Sequence, residues 1–192
     1  NVIMLGQTEK PDSFDQYTAV IRTVHTLKRN LVIVREPRED SKDRGIPDPL
    51  PTENFIDIWW RGEQQNIGLM VTLAYLMTRS SDWAKATIRL KSIAVEKEQQ
   101  QELQKRLESY IDRQRLDATA KVSLPEAGKN IFEQICESSA DARLVFFGLR
   151  APGPEESANS YGQYYGQMLC NSEGLSTVAD RKSTRLNSSH YS

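Results

Sequence analysis

Histidine and cysteine are scarce in this chain of 192 residues, with two of each. Cys136 and Cys170 lie far apart and form no C-x-x-C, which argues against a disulfide framework or a zinc site and fits a reducing, cytosolic compartment. Nucleophilic catalysis of the Ser-His-Asp or Cys-His kind needs an imidazole beside the nucleophile. His25 is the only candidate outside the C-terminal tail, and its place beside Val24 on an amphipathic stretch reads as a structural histidine. Excess charge is lacking too: 25 basic against 26 acidic residues give a net charge of -1. With the two signs interspersed there is no basic footprint for nucleic acid or anionic lipid.

Long apolar runs are also missing. The most apolar window, Ile67 to Met77, is interrupted by Gly68 and Thr72 and followed by Arg79, short of the roughly 18 residues a membrane span requires. No glycine pattern of the P-loop or dinucleotide type occurs. Acid pairs such as Glu9 with Asp15, or Glu155 with Glu156, have nothing in the sequence to desolvate them, so they read as solvated charge. The chain opens at Asn1 with no initiator Met, basic segment or cleavage site, from which we expect the natural start to lie upstream.

What is present is a globular composition, 38% hydrophobic and 27% charged, arranged as alternating strands and helices. Val2 to Leu5 is a short apolar run ending at Gly6, a strand pattern. Asp12 or Ser13 offers a helix cap, and Phe14, Tyr17, Ile21, Val24 and Leu27 make one apolar stripe on the helix that follows. Leu31 to Val34 is a second apolar strand, and strand-helix-strand order predicts parallel pairing. Residues 37–54, rich in proline and charge, read as a linker between a first unit at 1–36 and a second at 55–179.

In the second unit Phe55 to Trp60 carries large apolar residues on both faces, which predicts a central strand. After a polar turn come an apolar helix from Ile67 to Met77 and a strand from Thr87 to Ile93. A helix from Glu96 to Ile111 follows, with Leu103, Leu107 and Ile111 four residues apart. Ala118 to Val122 is a further strand, and Pro125 is placed near the first turn of a helix holding Ile131, Phe132 and Ile135. Leu144 to Phe147 is a strand ending at Gly148, Ser157 to Cys170 a last helix, and Leu175 to Ala179 opens another strand. This alternation predicts a doubly wound, mostly parallel α/β fold.

Two segments are candidates for function. Gly148 to Gly153 follows a strand and precedes a helix, the place where α/β folds bind ligands. Arg150 there could face a phosphate, while Pro152 and Gly153 alone would make an ordinary turn. Tyr161, Tyr164 and Tyr165 share a helix face that reads either as core or as an interface, because tyrosine keeps a polar end in water while burying its ring. Trp59, Trp60 and Trp83 read as core packing. The stretch from Asp180 to His190 resembles the translation of a sequencing adapter, so residues 180–192 are set aside as an artefactual disordered tail; with their excess of basic charge removed, the rest is mildly acidic.

Ile56-Asp57-Ile58-Trp59-Trp60, then Gly68-Leu69-Met70 and an apolar helix ending before Trp83, then Ile88-Arg89-Leu90, resembles the I-D-V-W-W, G-G-L-x-L-L, W and I-R-V pattern of the C-terminal domains of cation-chloride cotransporters. Asn1 to Gly6, Leu31 to Arg35 and Leu144 to Pro154 resemble flanking segments of that family, so the resemblance covers residues 1–179. It departs where the family has two adjacent glycines and this chain has Arg61-Gly62-Glu63-Gln64-Gln65-Asn66 and a single Gly68. The short linker fits a prokaryotic member better than an animal one, and phosphoregulatory insertions are absent. The resemblance implies a universal-stress-protein-like fold of two lobes, the first incomplete here. It also implies a non-enzymatic, regulatory domain on the cytoplasmic face of the cell membrane. Its partners would be its own transmembrane domain, which moves chloride with sodium or potassium, and a second copy in a homodimer, with no nucleic acid and no membrane insertion of its own. No cofactor is expected, although the stress-protein likeness leaves ATP at the Gly148 to Gly153 loop as an alternative.

Overall fold

A computed structural model describes residues 2–8, 10–35, 54–61, 67–172 and 175. The first segment forms strand β1 (Val2–Gly6), helix α1 (Phe14–Thr26) and strand β2 (Asn30–Val34). As strand-helix-strand order predicts, β1 and β2 are parallel, with Val2 opposite Asn30 and Gly6 opposite Val34. Neither Asp12 nor Ser13 caps α1 through its side chain. The helix is entered through a 3₁₀ turn at Pro11–Ser13, and the Ser13 N–H donates to Lys10 O at 2.9 Å.

α1 ends in a way that contains no glycine. Lys28 takes a left-handed conformation (φ 51°), its N–H donates to His25 O and the Arg29 N–H donates to Val24 O. This double closure satisfies carbonyls at the helix end that would otherwise be orphaned.

The second segment is a four-stranded parallel sheet in the order β5-β4-β3-β6, built from β3 (Phe55–Trp59), β4 (Thr87–Ile93), β5 (Ala118–Ser123) and β6 (Ala142–Phe147). The helices are α2 (Ile67–Thr78), α3 (Lys97–Gln114), α4 (Ile131–Ser138) and α5 (Ala158–Asn171). After β5 the chain returns to the far side of β3 to form β6, so strand order reverses between β3 and β6. This is a doubly wound α/β fold, and β3 is an inner strand as its two apolar faces require.

One face of β3 sends Ile56 and Ile58 into a core with Ile88 and Leu90 of β4, Met70, Val71 and Ala74 of α2, and Leu107 and Ile111 of α3. Trp83 belongs to the same cluster. The other face sends Phe55 and Trp59 against Val145, Ile135 and Leu175. Leu175 is buried and its N–H donates to Ser172 O in a turn, where a further strand was expected. Residues 176–179, the tail 180–192 and, apart from Asn54, the proposed linker 37–54 lie outside the described residues.

α4 starts later than its nearby proline suggests. Asn130, not Pro125, ends the preceding loop: its side chain accepts from the Glu133 N–H at 2.9 Å, and Glu133 accepts from the Asn130 N–H at 3.0 Å. This reciprocal pair satisfies two donors of the first turn. The segment around Pro125 is held instead by buried Gln134, which donates to Leu124 O at 2.7 Å and accepts from the Glu126 N–H at 3.2 Å.

Candidate functional site

Asp57 lies in the middle of β3 and has no solvent exposure. A carboxylate on an inner strand must be neutralised and hydrogen-bonded on the spot, because an unpaired buried charge costs several kcal/mol. The neighbouring strand does this. Parallel register sets Asp57 opposite Arg89 and Trp59 opposite Lys91, and alternation turns Arg89 and Lys91 to the same side of the sheet.

Asp57 Oδ1 accepts from Arg89 Nε at 2.5 Å, while Oδ2 accepts from Arg89 Nη2 at 2.9 Å. Oδ2 also accepts from Lys91 Nζ at 2.7 Å and Ser139 Oγ at 2.6 Å. Ser139, just beyond α4, accepts in turn from Trp59 Nε1 at 3.0 Å. Lys91 spends its remaining donors on Ser138 O at 2.5 Å and Ser138 Oγ at 3.2 Å. Arg89 reaches outward to Asp141 with Nη1 at 2.9 Å and Nη2 at 2.7 Å, and its guanidinium lies 3.9 Å from the centre of the Phe55 ring.

Two acids and two bases thus form a neutral set that joins β3, β4 and the turn between α4 and β6. Burial works against the charge on Arg89, yet the bonds from Asp141 and Asp57 prevail and hold its pKa above the ordinary arginine value. Burial pushes the Lys91 ammonium below its usual value against the pull of Asp57. The Arg89 hydrogen bond draws Asp141 below the ordinary carboxylate range. Both oxygens of Asp57 are bonded within the chain and the residue has no solvent exposure, so this cluster fixes geometry.

The loop after β6 is also closed on itself. Arg150 forms a two-pronged pair with Glu156, Nη1 to Oε2 at 2.8 Å and Nη2 to Oε1 at 2.7 Å. The Gly153 N–H donates to Glu156 Oε2 at 2.9 Å. The guanidinium stacks 4.4 Å from the Tyr164 ring centre and 5.2 Å from that of Tyr161. Tyr161 Oη donates to Arg150 O at 2.6 Å, and the Arg150 N–H donates to Tyr164 Oη at 3.0 Å.

The anion held by Arg150 and Gly153 is therefore Glu156, where a phosphate was the sequence expectation; Gly148 is half-buried at the start of the loop. Glu156, expected to be plain solvated charge, has only 15% of its side chain exposed. The Arg150 bond, with the Gly153 N–H, lowers its pKa to about 2.

The tyrosine face of α5 requires a correction as an interface with another molecule. Tyr161 and Tyr165 are fully buried within this one chain, packed with Ile21 of α1 and Met168. Phe14 meets Tyr165 edge to face at 5.8 Å. Gly162 and Gly166 allow this closeness: a Cβ on Gly166 would stand 3.0 Å from Phe14 Cε2. Across the same seam Thr18 Oγ1 donates to Ala158 O at 3.0 Å, and Arg35 Nη1 donates to Ser172 Oγ at 2.8 Å. The face joins the two segments of the chain instead.

Two of the other singled-out residues, Trp60 and Trp83, serve the core. Trp83 is buried with the Arg143 guanidinium 4.0 Å from its ring centre, and Trp60 packs against the first core cluster. Gly68 is exposed near the start of α2, and His25 is exposed on α1. Among the described residues no group of His, Cys, Asp and Glu could hold a metal ion, and no helix is long and apolar enough to cross a membrane. Sequence reading marked Asp57 only as part of a motif and missed Arg89, Lys91, Ser138, Ser139 and Asp141 as its partners. The available signal was an acid inside an apolar inner strand, with two bases at alternate positions of the next strand.

No family model and no curated protein matches the sequence. Among solved structures, the chain is similar to the crystal structure of the cytoplasmic domain of a prokaryotic cation chloride cotransporter, with a TM-score of 0.57 and 16% sequence identity. The match covers 90% of this chain and 60% of that one. At this identity the likeness is one of fold.

Proposed function

We propose that this chain is a cytoplasmic, non-catalytic regulatory domain of a cation-chloride cotransporter. It pairs as a homodimer beneath a transmembrane part that moves chloride with sodium or potassium. One observation carries this reading: the residues behind the sequence resemblance are neighbours in space. The I-D-I-W-W strand and the I-R-L strand are adjacent and in register, and Asp57 and Arg89, the polar members of the two motifs, are ion-paired to each other. A fold likeness to a cotransporter's cytoplasmic domain over 90% of the chain supports the same reading from an independent direction.

The closed polar clusters fit a scaffold. A domain that biases a transporter's conformational equilibrium needs contacts that differ between the transporter's states, and it needs no reactive group. Sequencing the transcript upstream of Asn1 tests the proposal. The expected result is a continuous reading frame encoding a series of apolar helical spans; a frame that opens with its own start codon just before Asn1 and encodes no span would overturn it.

A further inference from the structure

β5 is an outermost strand of the four-stranded sheet, and such a strand offers a row of backbone N–H and C=O groups to any extended chain that meets it. Parity decides which residues carry that row. Ser123 O accepts from the Ala94 N–H at 2.9 Å on the β4 side, so alternation turns the backbone groups of Ala120 and Val122 away from β4, toward the open edge.

Side chains of α3 take these groups. Gln104 Nε2 donates to Ala120 O at 3.1 Å, and Gln104 Oε1 accepts from the Val122 N–H at 2.9 Å. One turn earlier, Gln100 Nε2 donates to Val122 O at 2.8 Å. A residue of a parallel neighbouring strand would do the same, accepting from one backbone N–H and donating to the carbonyl two residues before it. Glutamine can stand in for it because its amide carries a donor and an acceptor side by side. The direction of the Gln104 amide is set from the far side, where its second N–H donates to Glu108 Oε1 at 2.8 Å. A carboxylate only accepts, so it holds the nitrogen end and leaves Oε1 for Val122. Gln100, Gln104 and Glu108 follow one another at i,i+4 and so share a helix face.

We propose that the outer edge of β5 is a strand-addition surface that α3 keeps occupied, and that Gln100 and Gln104 stop the sheet from growing through β5 into another chain. This stands apart from the transporter reading. In a pure sample the strand they exclude is the β5 edge of a second copy, because two identical edges related by a two-fold axis meet as an antiparallel pair. Lys121, exposed in mid-strand, works in the same direction, since such a pairing crowds it against its own copy.

Residue-resolved amide hydrogen exchange of the whole chain reads the contact directly. Val122 should be protected as the inner amides of β4 are, although it lies on an outer edge. Gln104→Met keeps the length of the side chain without its amide and should speed exchange at Val122 at least about tenfold, the worth of one hydrogen bond. Sedimentation equilibrium from micromolar to about millimolar then compares wild type, a double variant carrying Gln100→Met and Gln104→Met, and Gln101→Ala, at an exposed position of the same helix. The double variant should associate at least about tenfold more tightly than the other two, with a native circular dichroism spectrum and with Val122 protected again at high concentration. Exchange of Val122 at the free-peptide rate in wild type, or at an unchanged rate in Gln104→Met, overturns the proposal whether or not the double variant folds. A folded double variant that associates no more than wild type, or whose added association leaves Val122 unprotected, overturns it as well.

Discussion

Asp57→Asn is the sharpest probe of the buried cluster. The substitution keeps the shape and removes the negative charge, turning one acceptor oxygen into a donor. Arg89 retains Asp141 as a counter-ion, held through two bonds. Lys91 retains only the neutral oxygens of Ser138, and its side chain is 5% exposed. The loss therefore concentrates on one orphaned ammonium and on the Ser139 hydroxyl that loses its carboxylate acceptor. Breaking a buried pair from one side costs about 3–5 kcal/mol, out of about 5–15 kcal/mol for a whole domain. At about 2–4 °C per kcal/mol for a chain of this size, melting should fall by roughly 6–20 °C. Thermal and urea unfolding followed by circular dichroism give the global value, and tryptophan emission gives a local one, because Trp59 bonds to the same Ser139. Adding Lys91→Met removes the orphaned charge and should recover at least about half of the loss. An Asp57→Asn variant within about 1 kcal/mol of wild type, or two substitutions whose effects simply add, would refute the account of Asp57 as the counter-ion on which Lys91 depends.

Other consequences are simpler to check. Glu156 has its pKa depressed from 4.5 to about 2 by Arg150 and the Gly153 N–H. The native state therefore holds fewer protons there than the unfolded chain, and the stabilisation, full above pH 4.5, is lost as pH falls toward 2. Glu156→Gln should flatten this limb of an acid unfolding series, and added salt should shrink the difference because the pair is partly exposed. On α5, Gly162→Ala meets only ordinary contacts of 3.7 Å or more, whereas Gly166→Ala meets Phe14 at 3.0 Å. Both gain about 1 kcal/mol in helix propensity, so Gly166→Ala should be the less stable of the two by about 1–3 kcal/mol in urea unfolding. Asn130→Ala removes the side-chain acceptor of the Glu133 N–H, leaving the backbone bond from the Asn130 N–H to Glu133, and should cost about 1 kcal/mol in the same assay. Calorimetric titration with ATP should give no heat, since Arg150 and the Gly153 N–H are held by Glu156; saturable heat that Arg150→Ala abolishes would reopen the loop as a nucleotide site.

The strands were the most legible part of the fold, and the reason is physical. A buried parallel strand must be apolar on both faces, so Phe55 to Trp59 and Leu144 to Phe147 announce themselves without any help from neighbours. Helix ends were less legible because this chain uses unusual residues to make them. Lys28 and Arg115 both adopt φ 51° at positions where glycine is the common signal. Arg115 extends α3 to Gln114, beyond the Ile111 that its apolar stripe marks as an end. A basic residue there also favours the negative end of the helix dipole, which offsets part of the left-handed strain, and nothing in a local sequence window reveals that exchange. The cap of α4 was legible in principle, since Asn130 and Glu133 have capping-box spacing, but the proline five residues earlier drew attention away from it.

The site shows what a one-dimensional reading loses. Asp57, Arg89, Lys91 and Asp141 are scattered over the sequence and each resembles an ordinary charged residue. Register brings Asp57 opposite Arg89, and only the return of the chain to form β6 beside β3 brings Ser138, Ser139 and Asp141 to the same place. Strand order is a long-range property, so the local pattern of β3 could mark Asp57 as anomalous without naming its partners. The same reasoning separates the two tyrosine readings. Tyr161, Tyr164 and Tyr165 were legible as a contact face, and what decided its partner was the glycine pair Gly162 and Gly166, which lets α1 of the same chain approach.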